Sequence, residues 1–300
     1  MICLTQILKK AWNLLWTRTG RERLVYRILS RWGDWRCGRE GAGQKHFVYR
    51  RPDRIRFLYL KDNAFSKTLY CYKNWELDEL RWIVRCLGGR GTFIDGGANI
   101  GLFAAFVRQQ CPSTRIEAVE CLPGVYETLQ FVIRQLDLKD IRTHPAALSN
   151  HDDQWVKNAW VPGGEECNTT CPARAGEPDV MPTITLSRLL GDHPPAPIVI
   201  KLDLEGGEYD ALQGLEEYLR KPGAEPPILL VEMYRARFQE RGLNFEQWWE
   251  WFRMHAYNTY FAGGFGKGPP PGTPLDPGME MPPVFNLAAI PSSRRAKSLW

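Results

Sequence analysis

Thr92–Phe103 reads TFIDGGANIGLF, and its reading decides the fold. The stretch up to Asp95 is β-branched and aromatic, the composition of a strand. Gly97 and Gly101 then lead into IGLFAAFVRQQ at 100–110, whose apolar residues fit a helix. A strand, a glycine turn and a helix in that order form the opening unit of a parallel α/β sheet.

The alternation continues on the C-terminal side. RIEAVE (115–120), IRTHPAALS (141–149), PIVIKLDLEGG (197–207) and PPILLVEMY (226–234) read as strands. VYETLQFVIRQL (125–136), EYDALQGLEEYLR (208–220) and FEQWWEWFRMH (245–255) read as helices. This predicts a mainly parallel sheet with helices on both faces. NTYFAG (258–263) and VFNLAAI (284–290) close the pattern with no helix between them, so an antiparallel last strand is expected. The Gly/Pro-rich stretch 263–283 joins them, as a lid or as an exposed loop.

N-terminal to the opening unit, residues 46–72 read as short antiparallel strands and NWELDELRWIVRCLGG (74–89) as a lead-in helix. Three regions follow: a basic helical extension at 1–45, strands and a lead-in helix at 46–91, and the main domain at 92–300 with a strand-like insertion at 150–186. The net charge of +5 hides an asymmetry, because residues 1–60 hold fourteen Lys/Arg against four Asp/Glu. Leu4, Ile7, Leu8, Ala11, Trp12 and Leu15 give the extension an apolar stripe. It reads as a helix packed on the domain or as weak contact with an anionic membrane surface. No nucleic-acid module accompanies the charge.

With 44% hydrophobic and 24% charged residues, the composition is that of a soluble globular protein. No window has the length of a membrane span, and Lys9 and Lys10 interrupt the first apolar run, so secretion is not expected. The eight cysteines lack Cys-x-x-Cys pairs and read as reduced thiols of a cytoplasmic protein, peripheral to a membrane if the extension binds one. The oligomeric state is not legible.

The candidate site lies at the strand ends, where open parallel sheets bind ligands. Glu120 ends the second strand nineteen residues after Gly101, positioned to accept hydrogen bonds from a ribose diol. A dinucleotide fingerprint wants glycine where Ala98 stands. Asp95 would repel a pyrophosphate, whereas it suits the ammonium and sulfonium of S-adenosylmethionine. In IVIKLDLE (198–205), Ile198, Ile200, Leu202 and Leu204 share one strand face and Lys201, Asp203 and Glu205 the other. Three charges on one strand are costly unless paired or exposed at its end. One reading is an ion pair of Lys201 with Asp203 or Glu208 that ties the strand to its neighbours. His144, His151 and His255, the Asp152-Asp153 pair and the WWEW cluster (248–251) read as ordinary structural residues, and no metal is required. Glu232 either lines a pocket or caps a turn.

The chain resembles the FkbM-type S-adenosylmethionine-dependent methyltransferases. Asp95, Gly97, Ala98, Asn99 and Gly101 match their Asp-x-Gly-Ala-Asn-x-Gly motif. Glu120-Cys121-Leu122-Pro123 is similar to Glu-Pro-x-Pro, with one proline missing. Lys201, Asp203, Glu205, Gly206 and Glu208 match Lys-x-Asp-x-Glu-Gly-x-Glu. The resemblance covers about 70–235 well and the first 45 residues not at all. It implies a class I methyltransferase Rossmann-like sheet, S-adenosyl-L-methionine as cofactor, and O-methylation of a sugar or secondary-metabolite hydroxyl. Asp95, Gly97, Asn99, Gly101 and Glu120 are then the cofactor-binding candidates. Asp203, which orients or deprotonates the acceptor, Glu205 and Lys201 are the catalytic ones. The rivals are a nicotinamide-dependent oxidoreductase and a non-catalytic domain binding a partner or membrane through its N-terminus.

Overall fold

In the computed structural model the described residues are 45–51, 54–71, 75–159, 169–177, 180–265, 268–296 and 299–300. The basic extension at 1–45 lies outside them apart from Lys45.

A hairpin comes first, β1 (His46–Arg50) against β2 (Arg56–Leu60), followed by α1 (Ala64–Cys71) and α2 (Leu77–Leu87). Helix α1 corrects the all-strand reading of 46–72. Ser66 explains it: its backbone N–H is accepted by the Asn63 side chain at 2.7 Å, and its hydroxyl donates to the Leu58 carbonyl, so the chain turns into a helix instead of pairing again.

The main domain runs β3 (Thr92–Gly96), α3 (Leu102–Gln110), β4 (Arg115–Glu120), α4 (Pro123–Gln135), β5 (Ile141–Pro145) and β6 (Ala147–Leu148). The insertion adds β7 (Trp155–Ala159), β8 (Thr169–Pro172) and β9 (Val180–Ile184), and α5 (Leu186–Leu190) follows. Then come β10 (Ile198–Leu202), α6 (Glu208–Gln213), α7 (Glu216–Leu219), β11 (Ile228–Tyr234), α8 (Arg235–Glu240), α9 (Phe245–Met254), β12 (Tyr257–Phe265) and β13 (Val284–Pro291). Three expected boundaries move. IRTHPAALS splits into β5 and β6, which belong to different sheets. Residues 208–220 form two short helices rather than one. The strand predicted over 197–207 ends at Leu202.

Seven strands form one sheet in the order β12-β13-β11-β10-β3-β4-β5. Strand β13 is antiparallel to both its neighbours, β11 and β12, and the remaining pairs are parallel. The antiparallel last strand is therefore present, inserted between β11 and β12. Apolar residues of β10 alternate between two cores: Val199 joins the side of α2, α3 and α4, while Ile198, Ile200 and Leu202 join the side of α5 to α9. Lys201 lies on the Val199 face, its ammonium 4.8 Å from the centre of the Phe103 ring.

The Gly/Pro-rich stretch is partly anchored along β12. Phe261 N donates to the Thr273 carbonyl, and Leu275 N to that of Thr259, both at 2.9 Å. Among the described residues, no helix is long and apolar enough to cross a membrane.

Candidate active site

The chain order reverses between β3 and β10, because β4 and β5 build outward from β3 and β11 from β10. The crevice at the carboxyl ends of these two strands is the topological switch point of the sheet. Lys201 and Asp95 are register partners there.

Asp95 is fully buried. Its Oδ2 accepts from Ala104 N at 2.9 Å, in the first turn of α3, where helix N–H groups lack intrahelical partners. Burial pushes the Asp95 pKa up to about 6, against the pull of Lys201 and the Ala104 N–H. Asp95 Oδ1 is buried and accepts no hydrogen bond.

The turn after Asp95 folds back over β4, with Gly97 N and Ala98 N both donating to the Val119 carbonyl. Gly97 has φ 72, and a Cβ there would run into the Asp203 carbonyl oxygen. Asn99 has φ 49, the left-handed conformation that Asn tolerates better than most residues, and its N–H donates to Glu120 Oε2 at 2.9 Å. Gly101, with φ 86, caps α3. Glu120 Oε1 accepts from Leu122 N at 2.9 Å. Burial raises the Glu120 pKa, and these backbone N–H groups oppose it. Each Glu120 oxygen accepts one of these bonds and retains capacity for another. The five residues expected to bind a cofactor thus form one continuous turn-and-strand-end surface.

The Lys–Asp–Glu row differs from its sequence reading. Only Lys201 is in the strand, and Asp203 and Glu205 lie in the turn beyond it. Strict alternation therefore fails after Leu202, and Glu205 takes φ 53. Lys201 Nζ donates to Asp203 Oδ2 at 3.2 Å. Burial opposes the Lys201 charge, but Asp203, Asp95 and Glu76 outweigh it and hold its pKa above the ordinary range. Glu208 does not pair with Lys201. It accepts from Leu204 N at 2.7 Å and from Gly206 N at 3.0 Å, stapling the turn that carries Asp203 and Glu205. Burial pushes its pKa up to about 7.

Two further acids complete the cluster. Glu232, near the end of β11, is hydrogen-bonded to Asp203. Burial first, then the charges of Asp203, Glu205 and Glu208, raise its pKa well above the ordinary carboxylate range. Asp203, Glu205 and Glu232 offer oxygens that all lie within 4.8 Å of one another, a donor set that could hold a metal ion. Glu76 was missed by the sequence reading. It stands at the N-cap of α2 with φ 50, among Lys201, Asp203, Glu79 and Asp95. Burial, reinforced by those carboxylates, pushes its pKa up to about 8. Its signal was an acid immediately before a helix that runs onto the switch point.

The other candidates make local contacts away from this cluster. His144 Nε2 and Glu117 Oε2 are 2.7 Å apart, beside Arg115 and Arg142. His255 Nδ1 lies 2.8 Å from the Trp251 carbonyl, at the end of α9. Asp152 accepts from Thr185 N at 2.7 Å, and Asp153 from Arg188 at 2.8 Å. Trp248 and Trp251 are fully buried core, whereas Trp249 is half-buried and lines a cavity.

Residues 95–259 match the model of the Methyltransferase FkbM domain. The chain is 25% identical over 144 residues to Methyltransferase 1 of Beauveria bassiana (strain ARSEF 2860), covering 41% of this chain and 58% of that relative. It thus spans just over half the length of the curated relative it matches. Similar solved structures include methyltransferase FkbM from Methylobacillus flagellatus KT, with TM-score 0.41, 17% identity and coverage of 67% of this chain and 44% of that one. Another is TYW2 of M. jannaschii in complex with AdoMet, with TM-score 0.41, 12% identity and coverage of 82% and 85%. The matching family model is one of methyltransferases. With its class I methyltransferase sheet, the chain belongs to the FkbM methyltransferase domain family.

Proposed function

We propose that the protein transfers a methyl group from S-adenosyl-L-methionine to a hydroxyl of a sugar or other small metabolite. The observation that carries this reading is the cluster of acids at the switch point. Asp95, Asp203 and Glu205 gather with Lys201, the one ammonium of the cluster among the described residues, and Glu76 and Glu232, whose raised pKa lets them hold protons, ionise more readily when a cation binds. Such a site favours a cationic ligand over a pyrophosphate.

The residues fit the cofactor. Glu120 keeps acceptor capacity for a ribose diol. Gly97, Asn99 and Gly101 give the turn the left-handed conformations it needs to lie over β4. Asp95 fixes the first turn of α3 and adds negative charge. When bound, S-adenosylmethionine supplies an electrophilic methyl on a sulfonium. Methyl transfer then needs alignment of the acceptor and a route for its proton. Asp203 is the base or orienting group for that hydroxyl. Lys201 anchors the Asp203 carboxylate, Glu205 supports it from the same turn, and the hydrogen bond to Glu232 fixes its second side.

The test is incubation of the full chain with isotope-labelled S-adenosylmethionine and a panel of sugars, glycans and hydroxylated metabolites, read by mass spectrometry. Label on an oxygen supports the reading. Label only on nitrogen or carbon, or cofactor binding without any transfer across the panel, counts against it.

A further inference from the structure

Beyond the carboxylate turn lies a cavity of about 320 Å³, within the range of about 300–1,000 Å³ usual for small-molecule sites. Its walls come from α8, the start of α9 and residues 276–281 of the Gly/Pro-rich stretch. Phe245, Trp249, Met279 and Met281 make an apolar wall, and Gln239, Asn244 and Asp276 add polar groups. Helix α8 links the cavity to the site. That helix begins three residues after Glu232, and Arg241 just beyond it donates to the Gly206 carbonyl at 2.5 Å, on the turn that carries Asp203 and Glu205.

Two donors of lining residues are unmet. The Arg235 guanidinium lies over the Phe245 ring, 5.0 Å from its centre, and no carboxylate pairs with it among the described residues. Its Nε is buried and makes no hydrogen bond, and the same holds for Trp249 Nε1. Asp276 Oδ1 is occupied by Gly278 N at 2.9 Å, which leaves Oδ2 for a hydroxyl.

We propose that this cavity binds the methyl acceptor and that the acceptor is a sugar acid, with its ring face on Trp249 and its carboxylate on Arg235. The proposal rests on the hydroxyl-methyltransferase reading and names its substrate class. A neutral sugar would leave Arg235 without a counter-charge. An apolar ring would fill the wall but leave the Arg235 charge unmet as well. A small free anion would leave the aromatic and methionine wall in water. A ring carrying hydroxyls and one carboxylate satisfies all three features, and Arg holds a carboxylate with a planar fork that Lys lacks.

The experiment is saturation-transfer difference NMR on the full chain, with D-glucuronate, D-glucose and acetate as probes. Glucuronate should receive saturation at its ring protons, with glucose and acetate several-fold weaker. Arg235→Met and Trp249→Ala should each weaken glucuronate binding by about tenfold. Trp249→Phe, which keeps the wall and removes the N–H, should lose less than Trp249→Ala. All three variants should bind S-adenosylhomocysteine like the wild type by calorimetry, which also shows that they are folded. Equal response to glucuronate and glucose overturns the proposal, and so does unchanged glucuronate binding in Arg235→Met. Glucuronate binding that needs Arg235 in a chain unable to bind S-adenosylhomocysteine supports the cavity assignment while sinking the methyltransferase reading.

Discussion

Lys201 Nζ stands 3.2 Å from Asp203 Oδ2, with Lys201 in the last turn of the pleat of β10 and Asp203 just past the strand. The pair joins the sheet to the turn where the reacting groups are proposed to meet. Asp203→Asn keeps the shape and a hydrogen bond for Lys201 but removes the charge. Turnover should fall by about a hundredfold or more. Cofactor affinity and melting temperature should stay near wild type. Near-normal turnover at saturating acceptor would show that the charge is not catalytic. Lys201→Met is the opposite case, leaving Asp95 and Asp203 without their cation. It should destabilise the fold by about 3–5 kcal/mol, the cost of breaking a buried pair, as read from urea denaturation.

Glu120 has a different signature. Its oxygens hold Asn99 N and Leu122 N, so the side chain shapes the turn as well as facing the ligand. Glu120→Ala should weaken S-adenosylmethionine binding by about 1–3 kcal/mol in calorimetry. Unchanged affinity would remove Glu120 from the site.

Two glycines make a matched pair. Gly97 has φ 72, and a Cβ there would strike the Asp203 carbonyl, whereas a Cβ on Gly124 meets nothing within 4 Å. Gly97→Ala should cost at least the roughly 1–2 kcal/mol of a left-handed residue, plus the displacement of Asp203. Gly124→Ala lies in α4 and should be neutral or stabilising by up to about 1 kcal/mol. Equal melting temperatures for the two variants would contradict this account of the turn.

These contrasts show which parts of the candidate site's geometry were legible. The placement of Asp95, Gly97, Asn99, Gly101 and Glu120 on one turn was readable because local rules bind it: a strand end, positive φ and a helix start. Lys201 was readable as one member of a pair. The error at Asp203 and Glu205 came from extending a period of two past Leu202. The strand stops there because Glu208 captures the backbone of Leu204 and Gly206, a contact that alternation does not encode. Glu76 at the start of α2 and the cavity along α8 each depend on elements far apart in sequence coming together. Helix α8 had no amphipathic signature long enough to read in its six residues.

The clustered oxygens of Asp203, Glu205 and Glu232 make metal dependence testable. Lys201 already compensates Asp203. That pairing opposes a divalent cation, which prefers oxygen ligands and no adjacent ammonium. Dialysis against EDTA should leave turnover within about twofold of the untreated protein, well below the several kcal/mol that Lewis-acid assistance contributes. Loss of turnover restored by magnesium or manganese would make the three carboxylates a metal site.

The acids also set a pH dependence whose sign is fixed. Folding raises the pKa of Asp95 to about 6, of Glu208 to about 7 and of Glu76 to about 8, in each case first through burial. In the unfolded chain such carboxyls titrate near about 4. The folded state therefore holds more protons between these limits. The stability contributed by these groups is fully present below about pH 4 and is lost as pH rises toward about 8. Glu117 moves the other way, because hydrogen bonds from His144 and Arg115 overcome its burial and lower its pKa, so its effect falls below this window. Around Glu76 the charged neighbours are Lys201, Asp203, Glu79 and Asp95. Glu76→Gln removes an acid that is costly to ionise. It should melt above wild type near about pH 8 and no higher near about pH 5, as read by calorimetric scans. A cationic ligand reverses the balance, because it gains from each carboxylate that ionises. S-adenosylmethionine affinity should therefore rise with pH across the same window in the wild type and rise less in Glu76→Gln. An affinity independent of pH, or a wild-type melting temperature that climbs from about pH 5 to about pH 8, would remove Glu76 and its neighbours from the electrostatics of the site.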